Sequence, residues 1–284
     1  MLNTIAKKFS RAQAEIPYRL ELMRRGRSLP ALNSQDRLIV EACRRDGAYV
    51  TTLKDLGFAS TPQMLESAEQ RLQKLRQDFP VDYTKAETEA DAVPNYPNAW
   101  TVTHFPEFAT WAHEPRLLNI TQNYIGLPVT FQGAHLQRDF PNKKQVLGEL
   151  WHTDAEDRRM IKAIVYLSDV EKEHGPFQYI PKSKVSPLSW RKIKSQIAQS
   201  SDLGIDDAAM EKIIPRSDWK TCTGPAGTVV FVDVKAVLHH GSPRSKERAA
   251  LFFVFTSERP LHPEYCTVFN DESFAQPGFI RPDK

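Results

Sequence analysis

No uninterrupted apolar run in this 284-residue chain approaches the roughly 20 residues that a helix needs to cross a bilayer, so no membrane span is expected. Cysteine is scarce too. Cys43, Cys222 and Cys266 are far apart and odd in number, which excludes a disulfide framework or a paired-cysteine zinc site and fits a reducing, cytoplasmic setting. A charge surplus is also missing: 38 basic against 35 acidic residues leave a net charge of +3, too small and too dispersed for nucleic-acid binding. A small-molecule substrate is the partner that remains. Internal repeats and low-complexity tracts are absent from the sequence.

What is present suits a soluble globular protein. Hydrophobic residues make up 40% and charged residues 26% of the chain, enough to bury a full core as one large domain with a helical appendage. The expected organisation is an N-terminal helical extension over residues 1–34, a main domain over 35–258, and a tail packed on or beside the core over 259–284. In the extension, Leu2, Ile5 and Phe9 recur at helical spacing beside Lys7, Lys8 and Arg11. A targeting peptide has a similar texture, but Glu15 and Glu21 are acids that transit peptides avoid, and a helix packed on the side of the domain is the simpler reading.

Further on, Asn33 or Ser34 can cap a helix ending near Asp46-Gly47, with a short strand from Ala48 to Thr52 behind it. Thr61 before Pro62 reads as the cap of a second helix, whose stripe Leu65, Ala68, Leu72 and Leu75 should cover one face of a sheet. Residues 80–100 are polar and proline-punctuated, hence a loop, and another helix is expected from about Pro106 to Tyr124. From Val129 the texture changes to short β-rich runs: VTFQGAHLQ, the Glu149 to Asp154 stretch, IKAIVYLS, FQYI, GTVVFVDV and RAALFFVF. Strands without regular intervening helices argue for an antiparallel sandwich or barrel decorated by the N-terminal helices.

The stretch GELWHTDAEDRRMIKAIVYLSDV places His152 and Asp154 one residue apart. On a strand these two point to the same face, presenting an imidazole and a carboxylate side by side. Non-haem iron(II) of the oxygenase type takes two histidines and one carboxylate on one face and leaves the opposite positions open. The second histidine should come from GTVVFVDVKAVLHHGSPRSKERAALFFVF, where His239 and His240 end a strand and Arg248 opens the next. Were the strand from Thr228 unbroken, His240 would join the apolar face of Val230, Val232, Val234, Ala236 and Leu238, and His239 would share a face with Asp233 and Lys235. A turn or bulge near Val234 to Ala236 would reverse that choice.

Arg248 can grip a carboxylate in a bidentate fork, or make a structural salt bridge. Lys162 interrupts an otherwise apolar strand; a lysine there points outward by default, or reaches an acidic cofactor or substrate group. Trp151 either walls a pocket or packs in the core. Gln137, Arg138 and Asp139 end the strand before the metal segment, where co-substrate contacts and plain solvated residues are equally expected.

HTDAEDRR, then IKAIVYLSDVEKEHGPFQYIP, then HHGSPRSKER together resemble the phytanoyl-CoA dioxygenase family of iron(II)- and 2-oxoglutarate-dependent oxygenases, over about residues 35–258. The family's H-x-G-x-P pattern falls on His239, Gly241 and Pro243, and IPKSK at 180–184 stands where a glycine-serine-histidine ending is expected. The resemblance implies a mainly β fold with flanking helices around a double-stranded β-helix (jelly-roll, cupin-like) core. It also implies iron held by His152, Asp154 and His239, with 2-oxoglutarate on the metal, its far carboxylate on Arg248, and O2 as oxidant. No catalytic residue beyond the metal ligands is implied. Related halogenases replace the carboxylate with a small residue, so Asp154 implies hydroxylation or related C–H oxidation of a small metabolite. A zinc hydrolase built on the same three residues, or a non-enzymatic binding module, are the alternatives.

Overall fold

The computed structural model describes residues 15–26, 28–85, 93–94, 96–141, 145–200 and 204–266. Residues 15–25 form helix α1, which lies on the main core through Tyr18 and Leu22 and is tied to it by Glu15 and Arg158 at 2.6 Å. The expectations for Leu2, Ile5 and Phe9, and for the tail from residue 267, lie outside the described residues. Among the described residues no helix is long and apolar enough to cross a membrane.

Asn33 caps α2 (Ser34–Arg45) by accepting the Asp36 N–H, and strand β1 (Ala48–Thr52) and the short α3 (Leu53–Leu56) follow. Helix α4 (Thr61–Asp78) begins one residue earlier than its proline suggested. Ser60 takes the cap position without a side-chain cap bond, because its hydroxyl is spent on Glu114 at 2.6 Å. The region expected to be only loop contains β2 (Asn98–Thr101), a strand too short to show a period. The single helix expected from Pro106 to Tyr124 is two, α5 (Pro106–Ala112) and α6 (Pro115–Ile125), because Pro115 cannot continue α5 and opens a new helix instead.

The strands that follow are β3 (Val129–Asp139), β4 (Ile161–Tyr166) and β5 (Phe177–Ile180). Helices α7 (Pro187–Gln199) and α8 (Asp207–Glu211) then intervene where none was expected. Ser186 caps α7 and Pro187 starts it, and its packed side is the narrow stripe Trp190, Ile193 and Ile197, of which only Ile193 is fully buried. The chain completes the fold with β6 (Lys220–Cys222), β7 (Thr228–Val232), β8 (Leu238–Gly241), β9 (Arg248–Ser257) and the short α9 (Pro263–Cys266).

Two antiparallel sheets result, one of six strands in the order β1-β7-β4-β9-β3-β2 and one of three in the order β6-β5-β8. This is a mainly β jelly-roll core with flanking helices. Side chains on the large sheet alternate between two apolar layers. Ala163, Val165, Phe231, Leu251, Phe253 and Phe255 face the helices, where Trp111 of α5 lies 4.4 Å from the Phe253 ring. Ile164, Tyr166, Val230, Val232, Ala250 and Val254 face inward toward Phe177 and Cys222 of the small sheet. A third cluster, including Ile193, Met210, Trp219 and Trp151, packs α7 and α8 onto the outer side of the small sheet. The inter-sheet layer is therefore closed on both flanks, and polar side chains that enter it stand out.

Candidate metal centre

β7 stops at Val232, and residues 234–236 turn. Asp233 builds that turn: its carboxylate accepts the Lys235 and Ala236 N–H groups at 2.9 and 3.0 Å and the Tyr124 hydroxyl at 2.5 Å. The turn resets the register, so His239 and His240 on β8 take opposite faces from those an unbroken strand would give them.

The Glu149 to Asp154 stretch is not a regular strand. A 3₁₀ turn over Leu147–Glu149 leads into two isolated bridges, Trp151 with Ile205 and His152 with His239. The second bridge exchanges backbone hydrogen bonds of 3.1 and 3.0 Å between the two histidines, and Asp154 N–H donates to the Val234 carbonyl at 3.0 Å. Residues far apart in sequence are thereby fixed backbone to backbone.

The side chains converge. His152 Nε2 lies 3.4 Å and His239 Nε2 3.7 Å from the same carboxylate oxygen, Asp154 Oδ1. The three ligand-type atoms lie within 4.8 Å of one another. Donors around an ion at roughly 2.1 Å sit roughly 3 Å apart when the coordination angle is a right angle, so a small inward shift closes this set on a metal. Each histidine directs Nδ1 at a backbone carbonyl, His152 at Leu150 (2.6 Å) and His239 at Val237 (3.3 Å). A carbonyl only accepts, so Nδ1 of each ring carries a proton, and Nε2, which faces the carboxylate, is the atom a metal would take. Burial, followed by the neighbouring His152, pushes the pKa of His239 down to about 3, which keeps its imidazole neutral.

Asp154 has a second partner. Lys162 points into the inter-sheet layer and not outward, and its ammonium donates to Asp154 Oδ2. Burial, the largest influence on Asp154, favours the protonated acid, but the Lys162 charge and the two imidazoles outweigh it and hold the carboxyl well below the usual range. One carboxylate oxygen thus faces the imidazoles while the other faces the lysine.

His240, fully buried, lies on the other side of β8. Its Nδ1 meets the Glu149 carbonyl at 2.8 Å, its Nε2 meets Gln178 Oε1 at 2.9 Å, and its ring stacks on Trp151 at 3.9 Å. Trp151 packs in the core under α8, donating to Asp207 at 2.9 Å, and does not wall the centre.

Arg248 faces inward from the start of β9, and its fork is closed. Nε and Nη2 both donate to Asp139 Oδ2, at 2.9 and 2.7 Å, and Nη1 donates to the Gly175 carbonyl. Arg244 bridges Asp139 at 3.1 Å and Glu149 at 2.9 Å. Four buried charges, two guanidinium groups and two carboxylates, therefore neutralise one another. Gly175 makes the packing possible: at φ +65° a side chain is strained, and a Cβ would come within 2.5 Å of Arg244 Nε and the Ser242 carbonyl. The structure thus brings His152, Asp154 and His239 together and places Arg248 in a separate, self-sufficient network. Lys162, Asp139, Arg244 and Glu149 are the residues that sequence reasoning missed or left open. Asp139 was beyond its reach because only the β3–β9 register sets Asp139 opposite Arg248.

A family model described as phytanoyl-CoA dioxygenase matches residues 44–250. No curated protein sequence matches the chain. Among solved structures, HygX from Streptomyces hygroscopicus with nickel and 2-oxoglutarate bound is similar at 16% identity and TM-score 0.50, over 81% of this chain and 88% of that one. EctD from S. alaskensis in its apoform is similar at 21% identity and TM-score 0.52, over 81% of each chain. EvdO2 from Micromonospora carbonacea var. aurantiaca is similar at 16% identity and TM-score 0.52, over 82% of this chain and 96% of that one. At these identities the likeness is one of fold.

Proposed function

Because this chain belongs to the phytanoyl-CoA dioxygenase family of iron(II)- and 2-oxoglutarate-dependent oxygenases, we propose that it oxidises a C–H bond of a small metabolite at a centre held by His152, Asp154 and His239. The observation that carries this reading is the convergence of two Nε2 atoms on one carboxylate oxygen, each ring fixed by its Nδ1 contact with a backbone carbonyl. Two neutral nitrogens and one carboxylate oxygen on one side suit iron(II) with open positions opposite. Iron(II) there would couple the decarboxylation of 2-oxoglutarate by O2 to oxidation of the substrate.

The chain's own residues do the positioning. Lys162 holds Asp154 Oδ2, so the carboxylate offers one oxygen to the metal. The bridge between His152 and His239 fixes the spacing of the two imidazoles, and the Phe177 ring packs beside that of His239, the ring centres 5.5 Å apart. HygX was solved with 2-oxoglutarate bound, and that ligand is carried to this chain as part of the proposal.

Anaerobic addition of iron(II) and 2-oxoglutarate should give a weak visible charge-transfer band, and substrate screening should find succinate release that needs oxygen. A flat spectrum in metal-replete protein, or full activity with zinc and no oxygen, overturns the reading. His240 supplies a control on the ligand set. Its two buried hydrogen bonds are structural, so His240→Asn should lower unfolding stability by about 2 kcal/mol and leave iron(II) affinity within a few-fold of wild type. Equilibrium denaturation and metal titration check both halves.

A further inference from the structure

We propose that α1 is a docking helix for an anionic phospholipid surface, a role independent of the chemistry at the metal centre. Ile16, Leu20 and Met23 are four and three residues apart, so they share one stripe of the helix, and they are 60%, 51% and 65% exposed. Tyr18 and Leu22, which hold α1 on the domain, lie about 150° round the helix from that stripe at 3.6 residues per turn. Packing therefore uses one side of α1 and leaves the apolar stripe turned to solvent. Three of the eight large apolar side chains that are exposed among the described residues belong to this one helix.

Charge selects the occupant. Arg19 and Arg24, both exposed, flank the stripe on either side. The two acids of the helix, Glu15 and Glu21, would oppose an anionic surface if they faced outward with the stripe. They fall outside its arc, and each is paired, Glu15 with Arg158 at 2.6 Å and Glu21 with Arg25 at 3.1 Å. The outward face is thus apolar at its centre and cationic at its edges, as in helices that lie in a membrane interface and are drawn to anionic headgroups. In the sequence, Leu2 and Phe9 stand ahead of Ile16 and Met23 at the same interval of seven residues, among Lys7, Lys8 and Arg11. A second copy of the chain fits less well. Three side chains of this size cover on the order of 300 Å², against about 800 Å² per partner in a stable interface. The arc also holds no carboxylate to meet the arginines of another copy.

The test is co-sedimentation of the full chain with vesicles of phosphatidylcholine alone and of phosphatidylcholine mixed with phosphatidylserine. Wild type should bind the mixed vesicles at least about 10-fold more tightly, and added salt should erase the preference. Arg19→Gln combined with Arg24→Gln should lower binding to the mixed vesicles by about 30-fold, the worth of two cations at an anionic surface. Leu20→Gln combined with Met23→Gln should lower it by more than about 10-fold, since burial of even one such side chain is worth that much. Leu188→Gln on α7, where the leucine is 63% exposed, should bind as wild type does.

Wild type left in solution with both vesicles, or binding that the Leu20→Gln and Met23→Gln protein retains, overturns the inference. Equal binding to the two compositions also overturns it, because the arginines would then play no part. A wild-type dimer in analytical ultracentrifugation that the same double variant dissolves, without vesicle binding, assigns the stripe to a second copy instead.

Discussion

Replacing Asp154 with alanine is expected to lower iron(II) affinity by more than about 100-fold and to reduce 2-oxoglutarate-dependent succinate release to background. Loss of a group that merely orients a metal ligand costs 10-fold to 100-fold as a rule, and Asp154 is the ligand itself in the proposed centre. Both imidazole contacts, at 3.4 and 3.7 Å, are to this carboxylate, so its removal takes away the anion that the two Nε2 atoms share. The substitution also leaves Lys162 among apolar neighbours with its Asp154 contact gone, which lowers stability by a route separate from chemistry. Asp154→Asn separates the two effects, since it keeps the volume and an oxygen for Lys162 but removes the charge. Metal content and succinate release should collapse in both variants, and the melting temperature should fall further in the alanine one. An Asp154→Ala protein with the metal content and succinate release of wild type would show that Asp154 is not a ligand of the centre.

The second large effect concerns folding. Arg248→Met should destabilise the protein by about 3–5 kcal/mol, read from urea denaturation, because it leaves Asp139 buried with half of its compensating charge removed. The pH profile carries a signature of the same network. Burial opposes ionisation of Asp139, yet Arg248 and Arg244 outweigh it and hold its pKa below the ordinary carboxylate value. A carboxyl depressed in the folded state adds stability above the unfolded pKa, about 3.9, and loses it as pH falls through the folded value. Wild-type stability should therefore fall as the pH drops below about 4, and the Arg248→Met variant should show a shallower fall because its Asp139 is less strongly depressed. A variant with unchanged urea midpoint and unchanged pH slope would mean that Arg248 does not stabilise the fold.

The fold was most legible where both faces of a strand are buried. β4, β7 and β9 are near-continuous runs of β-branched and aromatic residues because one face meets the helices and the other the small sheet. β2 and β8 span four residues each, NAWT and LHHG, too short for any period, and their existence depends on partners elsewhere in the chain. α7 is less legible for a different reason: its exposed faces are broad, and its stripe of Trp190, Ile193 and Ile197 is narrow, with Ile193 alone fully buried.

At the centre, the spacing of His152 and Asp154 was readable, although an isolated bridge to β8 and not a regular strand produces it. The choice between His239 and His240 turned on a change of register, and the residue that fixes that change, Asp233, is held by Tyr124 more than a hundred positions away in sequence. Lys162 was weighed by the default for its residue type, which the structure reverses because Asp154 lies within its reach on the inward face. For Arg248 the sequence leaves a ligand carboxylate and a structural salt bridge both open, and the residue that engages it becomes visible only once β3 and β9 are laid side by side.

The loop that Asp233 anchors has a consequence for how such a protein can change over time. Removing a single amino acid from positions 234–236 would shift β8 by one residue, turning His239 away from Asp154 and bringing His240 into its place. With histidines at two neighbouring positions, an imidazole would still face Asp154 after such a change of length.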